Sequence, residues 1–80
     1  MKIQGEFRTR KDYIGYIFYH QTADTLVLDK YQNYVINLLR KEISRENLVI
    51  AVSENFPNVN AEEVVSHVIE TMSDIGLLSL

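Results

Sequence analysis

The hydrophobic pattern of the chain changes its period at Asp29, and this change decides the fold class. Before Asp29, aromatic and β-branched residues concentrate in three short runs, which is typical of β-strands. These runs are residues 7–10, 13–20 and 25–28, and Lys11-Asp12 is the predicted turn between the first two. After Asp29, apolar residues recur at about 3.6 positions, as in amphipathic helices. The sequence therefore predicts an α+β fold, with a three-stranded antiparallel sheet followed by three helices.

The second predicted strand is apolar on both of its faces. Tyr16 and Phe18 lie on one face, and Ile17 and Tyr19 lie on the other. The period of two therefore leaves open which face of this strand meets the core.

Each predicted helix begins at a residue that can cap it. Asp29 with Gln32, and Asn60 with Glu63, have the spacing of a capping box, and Ser44 is a third N-cap. Pro57 and Gly76 are expected to end the second and third helices. The apolar stripe of the first helix is expected at Tyr31, Tyr34, Val35, Leu38 and Leu39.

The chain is long enough for one hydrophobic core and too short for two. Its 80 residues, 46% apolar and 24% charged, predict a single folded domain over residues 1–80. It has no cysteine, which excludes disulfides and thiolate metal sites. No apolar run approaches the roughly 18 residues of a membrane span, and the first residues lack a secretory signal pattern. We expect a cytoplasmic protein without a membrane partner.

Charge is distributed unevenly along the chain. Residues 46–80 contain six acidic residues and no Lys or Arg, whereas Arg8, Arg10 and Lys11 form a cationic group near the start. A winged helix-turn-helix DNA-binding protein has a similar order of elements, so a DNA-binding regulator is one alternative function. Its recognition helix must approach phosphates, and the third predicted helix has only acidic charges. The sequence therefore favours a winged-helix-like fold that does not bind nucleic acid.

Catalytic chemistry has little support in the sequence. The two histidines, His20 and His67, lie on different elements, and neither has a ligand partner at metal-binding spacing. Glu63 and Glu70 flank His67 on one helix face, a spacing typical of a solvated charge cluster. The glycines are isolated and form no phosphate-binding loop. We expect no enzyme activity, no metal and no cofactor.

The third predicted helix has an unusually wide apolar arc. At 100° per residue its apolar side chains fall within about 140°, more than a single packing seam needs. They are Val64, Val65, Val68, Ile69, Met72 and Ile75. Two interpretations stay open: the helix is buried on this whole arc, or one side of the arc serves the core and the other side binds a partner.

A family resemblance covers residues 7–78. The order Arg8-x-Arg10-Lys11-Asp12-x-Ile14-Gly15-x-Ile17-x-Tyr19, then Leu26-x-Leu28-Asp29 opening a helix, resembles the PqqD-like family. These domains are also called RiPP recognition elements, and they bind leader peptides of ribosomally made, post-translationally modified peptides. Leu38-Leu39, Ser44-x-x-x-Leu48, the Phe56-Pro57 turn and the end at Gly76-Leu77-Leu78 agree with the same pattern.

The first strands look most similar to the mycofactocin-system chaperone of that family. Asp12 stands where a glutamate is more usual, and Ile14 stands where a phenylalanine is more usual. The resemblance implies three antiparallel strands packed on three helices, and an activity that is binding only. It implies that a leader peptide adds a strand to the third strand, in the cleft beside the third helix. It also implies a separate modifying enzyme, often a radical S-adenosylmethionine enzyme.

The residues themselves are compatible with this mode of binding. A third strand at the edge of the sheet would leave main-chain groups unpaired, and an extended peptide can satisfy them by β-augmentation. Val65, Ile69 and Met72 could then receive apolar side chains of the peptide, and bordering Glu62 could hold a basic one. The predicted peptide-binding residues are Thr25, Leu26, Val27, Leu28, Glu62, Val65, Val68, Ile69 and Met72.

The same strand could instead serve a plain protein-interaction or dimerisation module. We expect a monomer or a weak homodimer, and the homodimer would form by pairing of two copies through this edge, the surface that a peptide would also use. Leu26 and Leu28 could also be core residues whose side chains never meet a ligand. Arg8, Arg10 and Lys11 could face an acidic leader or the partner enzyme.

Overall fold

The computed structural model describes residues 1–78 and has the predicted α+β architecture. Three strands form one antiparallel sheet in the order β1-β2-β3. They are β1 (Phe7–Asp12), β2 (Gly15–His20) and β3 (Leu26–Leu28). Three helices follow: α1 (Lys30–Leu38), α2 (Arg45–Asn55) and α3 (Ala61–Asp74). Helix α1 packs against β2 and β3, and α3 packs against both α1 and α2.

The hairpin between β1 and β2 turns at Tyr13-Ile14, so the prediction of a turn at Lys11-Asp12 was wrong. Asp12 pairs with Gly15 across the hairpin, and the Asp12 carboxylate accepts a hydrogen bond from the Tyr13 backbone N–H at 2.7 Å. Gly15 has φ +135°, a conformation that its lack of a side chain permits. The reversal therefore falls next to Gly15, and the strand-forming residues Tyr13 and Ile14 are left exposed at its tip.

One face of the sheet meets the helices, which settles the open question about β2. Phe18 is fully buried and Tyr16 packs against the core, whereas Ile17 and Tyr19 lie on the opposite, outer face. The Arg8 guanidinium lies 4.9 Å from the centre of the Tyr19 ring on that outer face. Packing of α1 against β2 decides this orientation, and the strand's own sequence does not contain that information.

The first two helices begin at the predicted caps. Asp29 accepts a hydrogen bond from the Gln32 N–H at 2.8 Å, and the Gln32 side chain accepts one from the Asp29 N–H at 2.9 Å. The Asp29 capping box is therefore confirmed. Ser44 caps α2 by accepting from the Asn47 N–H at 3.1 Å.

Helix α3 has the predicted start and the predicted left-handed end. Asn60 accepts a hydrogen bond from the Glu63 N–H at 3.1 Å, so it is the N-cap, but the return bond from the Asn60 N–H to the Glu63 side chain is not formed and the predicted capping box is incomplete. Gly76 has φ +80°, and beyond it the Leu77 N–H returns to the Met72 carbonyl at 2.9 Å. This return bond satisfies a carbonyl in the last turn of the helix, as in a Schellman-type ending.

The buried stripe of α1 contains most of the predicted residues and one more. Val35 and Leu39 are buried as predicted, and Tyr34 and Leu38 are partly buried against the core. Ile36 is also buried, although the sequence did not indicate it. Tyr31 and Tyr34 pack edge-on against Phe56, with ring centres 4.9 and 5.3 Å from the Phe56 ring centre. The stripe is wider than predicted because α1 is packed from more than one side, by the sheet and by α3.

The first residues of the chain belong to the core, which the sequence did not indicate. Ile3 is buried, and its N–H donates to the Leu39 carbonyl at 3.0 Å. The Gln4 N–H donates to the Leu77 carbonyl at 2.8 Å, so this segment joins the end of α1 to the residues after α3. Across residues 1–78, no helix has the length and apolar character needed to cross a bilayer.

Candidate functional site

The sheet has two edges, and the edge at β1 is protected by charge. Strand β1 carries Arg8, Arg10 and Lys11, and charged side chains on an edge strand discourage pairing with another chain. Arg40 also covers its first residue: the guanidinium donates to the Phe7 carbonyl at 2.9 Å and lies 4.2 Å from the ring centre. This edge is longer than the one at β3 but is poorly suited to receive a peptide.

The edge at β3 is short and uncharged. Leu26, Val27 and Leu28 pair with Phe18, Ile17 and Tyr16 of β2, and no residue in the described part of the chain, 1–78, pairs with them on the other side. Among residues 1–78, no hydrogen bond outside the sheet involves residues 25–28. The predicted strand 25–28 is therefore an edge strand, although Thr25 lies one residue before its start.

The orientation of Leu28 shows which main-chain groups face the open side of β3. The Leu28 carbonyl oxygen points at Gly15, so closely that a methyl group on Gly15 would lie 2.5 Å from it. Along an antiparallel strand, the N–H and C=O groups of one residue point to one side, and those of the next residue point to the opposite side. The N–H and C=O of Val27 therefore point away from β2, toward the open edge. Beyond Leu28 the edge ends, because the Gln32 side chain takes the Asp29 N–H.

A narrow cleft separates β3 and the start of α1 from α3. Its inner part has a free volume of only about 10 Å³, roughly the space of one water molecule. The residues that line it are Leu28, Gln32, Ile36, His67, Val68, Thr71 and Met72. Gln32 and His67 also line a wider cavity of about 210 Å³, together with Asp29, Tyr31, Glu63 and Val64. The cleft thus opens from a closed apolar floor to a wider, mixed entrance.

The structure brings three of the predicted site residues of α3 and β3 together. Leu28, Val68 and Met72 line the inner cleft, and Leu26 and Val27 lie beside them in the edge strand. Val65 and Ile69 lie in the core, 0% and 7% exposed, and line no part of the cleft. The expected open apolar wall of Val65, Ile69 and Met72 is therefore absent.

Glu62 is directed away from the cleft. Its carboxylate accepts a hydrogen bond from Arg45 at 2.8 Å, and the same guanidinium contacts the Ser66 hydroxyl. The neighbouring acid, Glu63, borders the wide part of the cleft instead. The prediction that Glu62 borders the cleft was therefore wrong. A helical wheel gives the width of the apolar arc, but it does not tell which part of that arc faces a neighbouring strand.

Several residues that line the cleft were missing from the sequence prediction. On α3 they are Val64, His67 and Thr71, whose spacing of three and four places them on one face. On α1 they are Tyr31, Gln32 and Ile36. Their spacing could have been read from the sequence, but the choice of this face depends on where β3 and α1 lie.

Charges around the cleft are mixed in sign. Asp29 and Glu63 contribute carboxylates at its entrance, and the Lys30 amine lies 5.2 Å from the centre of the Tyr31 ring. The cationic residues Arg8 and Arg10 are on the outer face of the sheet. Helix α3 itself carries only acidic charges, an unfavourable surface for a DNA groove.

His20 has a structural position at the end of β2. Its Nε2 lies 2.6 Å from the Gln4 carbonyl oxygen, and its Nδ1 accepts a hydrogen bond from the Thr22 N–H at 3.1 Å. This pattern requires a neutral ring that carries its proton on Nε2. His20 thus ties the first residues of the chain to the sheet. Within residues 1–78, no three His, Asp or Glu side chains are grouped closely enough to share a metal ion.

Comparison of the chain with protein-family models, with curated proteins and with solved structures finds no match. The resemblance to PqqD-like domains therefore rests on the residues that carry it.

Proposed function

We propose that the chain is a non-catalytic peptide chaperone of the cytoplasm. It binds the leader segment of a ribosomally made precursor peptide by β-augmentation at β3. It then presents the rest of the peptide to a modifying enzyme, for which a radical S-adenosylmethionine enzyme is our first candidate. The observation that carries this proposal is the uncharged edge of β3, which is open on the side away from β2 and lies next to an apolar cleft.

Main-chain hydrogen bonds would anchor the peptide at Val27. Its N–H and C=O face the open edge, so a peptide residue placed opposite can donate to one and accept from the other. If the alternation of the strand continues to Thr25, one residue before its start, Thr25 is the next residue that can bond to the peptide. Asp29 cannot extend this ladder, because its N–H is already bonded to Gln32. The anchor is therefore at most two residues long.

The cleft would receive a side chain of the bound peptide only after it widens. Its free inner volume of about 10 Å³ cannot hold an aliphatic side chain. Gln32 and His67 lie at its rim, and Met72 on its floor has the flexible side chain that best adapts to a new neighbour. We expect peptide binding to move Gln32 and His67 apart.

The test removes the main-chain donor of Val27. Val27→Pro deletes an N–H that points away from β2, which an edge strand tolerates, and it should abolish binding of the peptide encoded next to this gene. Val27→Thr keeps the N–H and the β-branched shape, so it should retain binding within about threefold. Binding is followed by amide NMR shifts during titration of the labelled protein, and circular dichroism checks that both variants are folded.

The titration also separates the alternatives. Equal affinity of folded Val27→Pro and wild-type protein would contradict the proposed edge, as would shifts confined to residues far from β3 and α3. Absence of binding below about millimolar peptide would contradict the function. A dimer in sedimentation without peptide, lost in Val27→Pro, would support the dimerisation module instead, because it would use the same edge.

A further inference from the structure

The outer face of the sheet carries a row of side chains that ends at the open edge. Arg10, Ile17 and Val27 are direct partners across β1, β2 and β3, so their side chains stand next to each other on this face. Ile17 has a neighbour on both sides. Val27 has a neighbour only on the side of Ile17, and the Val27 side chain is 55% exposed. We call these three residues the outer row.

A strand added to β3 would extend the outer row by one residue. The new strand would lie about 4.8 Å from β3, and the residue opposite Val27 would have its Cβ about 5 Å from the Val27 Cβ. Because the main-chain groups of Val27 face the open edge, that residue is also the one that Val27 anchors by hydrogen bonds. Its side chain must point to the outer face, away from the cleft.

We infer that Val27, with Ile17 behind it in the outer row, selects the side chain of the bound peptide at this position, and that it selects an apolar, β-branched one. This inference rests on the proposed binding at β3. The side chain directly opposite the new one is the aliphatic Val27, Thr25 is diagonal to it along β3, and Arg10 lies three strands away. Valine or isoleucine would cover the exposed part of Val27, whereas a carboxylate would be placed against an aliphatic side chain. Specificity thus comes from the outer face as well as from the cleft.

The Val27→Lys variant tests this contact, because a lysine at this position should favour an acidic side chain of the peptide over an apolar one. The probes are two synthetic seven-residue peptides with capped ends, alternating Thr with a guest residue that is Val in one peptide and Glu in the other. Wild-type protein should bind the Val peptide about two- to fivefold more tightly, and Val27→Lys should reverse this preference. The reversal should weaken when salt is raised from about 20 to 500 mM, because it depends on an exposed charge pair.

Ile50→Lys is the matched control. Ile50 is 48% exposed on α2, so this variant adds the same charge at a similarly exposed aliphatic residue outside the sheet. It should keep the wild-type preference for the Val peptide. If both peptides bind Val27→Lys with the wild-type ratio of affinities, the guest side chain does not face Val27 and the inference is wrong. If neither peptide shifts the β3 amides of wild-type protein at concentrations up to about 10 mM, binding at β3 itself is wrong, and the inference is overturned with it.

Discussion

Replacement of Gly15 by alanine should be far more damaging than replacement of Gly76 by alanine. Both glycines have positive φ, +135° and +80°, so each substitution places an L side chain in an unfavourable backbone conformation. Their surroundings differ. A methyl group on Gly15 would lie 2.5 Å from the Leu28 carbonyl oxygen, whereas a methyl group on Gly76 has nothing within 4 Å. Comparison of the two variants therefore separates the stability lost through backbone strain from the stability lost through a steric clash at the edge strand.

The expected losses in the free energy of unfolding follow from the backbone strain and the steric clash. Backbone strain at Gly76 costs about 1–2 kcal/mol, and Gly76→Ala has no further term. At Gly15 the strain costs about 1–3 kcal/mol. The 2.5 Å contact is with main-chain atoms that cannot rotate away, so β3 must shift and weaken its pairing with β2, which adds about 1–3 kcal/mol. We expect Gly15→Ala to lose about 2–6 kcal/mol, a large share of the stability of a small domain.

Urea and thermal unfolding, followed by circular dichroism, measure both losses. At roughly 4–8 °C per kcal/mol, Gly76→Ala should lower the Tm by about 4–16 °C and Gly15→Ala by at least about 8 °C. In NMR spectra, Gly15→Ala should shift the amides of β3, and Gly76→Ala should leave them unchanged. Equal losses of stability in the two variants would refute the close approach of Leu28 to Gly15. The orientation of the Val27 main chain, which depends on that approach, would then be unsupported.

Two further substitutions test the burial of the cleft floor and the end of the edge strand. Met72→Ala should cost about 2–5 kcal/mol in urea unfolding, because the Met72 side chain is 0% exposed; a loss below about 1 kcal/mol would mean that it faces solvent. Asp29→Ala removes both hydrogen bonds of the capping box and should cost about 1 kcal/mol, with exchange of the Asp29 amide strongly accelerated. An unchanged urea midpoint for Asp29→Ala would contradict the capping box.

Features that depend on neighbouring residues could be predicted from the sequence. The N-caps at Asp29, Ser44 and Asn60 were predicted correctly, because a cap is formed by residues three positions apart. The end at Gly76 was predicted for the same reason, since the left-handed conformation is a property of one residue. The order of strands and helices followed from the change of period at Asp29.

Features that depend on contacts between distant segments could not be predicted. The sequence of β2 is apolar on both faces, and only packing against α1 decides that Phe18 faces inward. Similarly, the sequence identified the apolar arc of α3 but not which side of α3 faces β3. Glu62 was therefore predicted to border the cleft, whereas Glu63 does so. The burial of Ile3 depends on its bond to Leu39, 36 positions away, and no local signal indicates it.

The shortness of β3 limits what its main chain can contribute to binding. Val27 and Thr25 offer at most four hydrogen bonds to a peptide, and each contributes a net of about 0.5–1.5 kcal/mol. Ordering an extended peptide and losing its free motion costs at least about 4 kcal/mol. The main chain alone therefore gives little net affinity, and micromolar binding, near −8 kcal/mol, must come mostly from side chains. Contacts on both faces are then needed, with Val27 on the outer face and the cleft beside Met72 on the inner face. A peptide whose side chains suit only one face should bind no better than about millimolar.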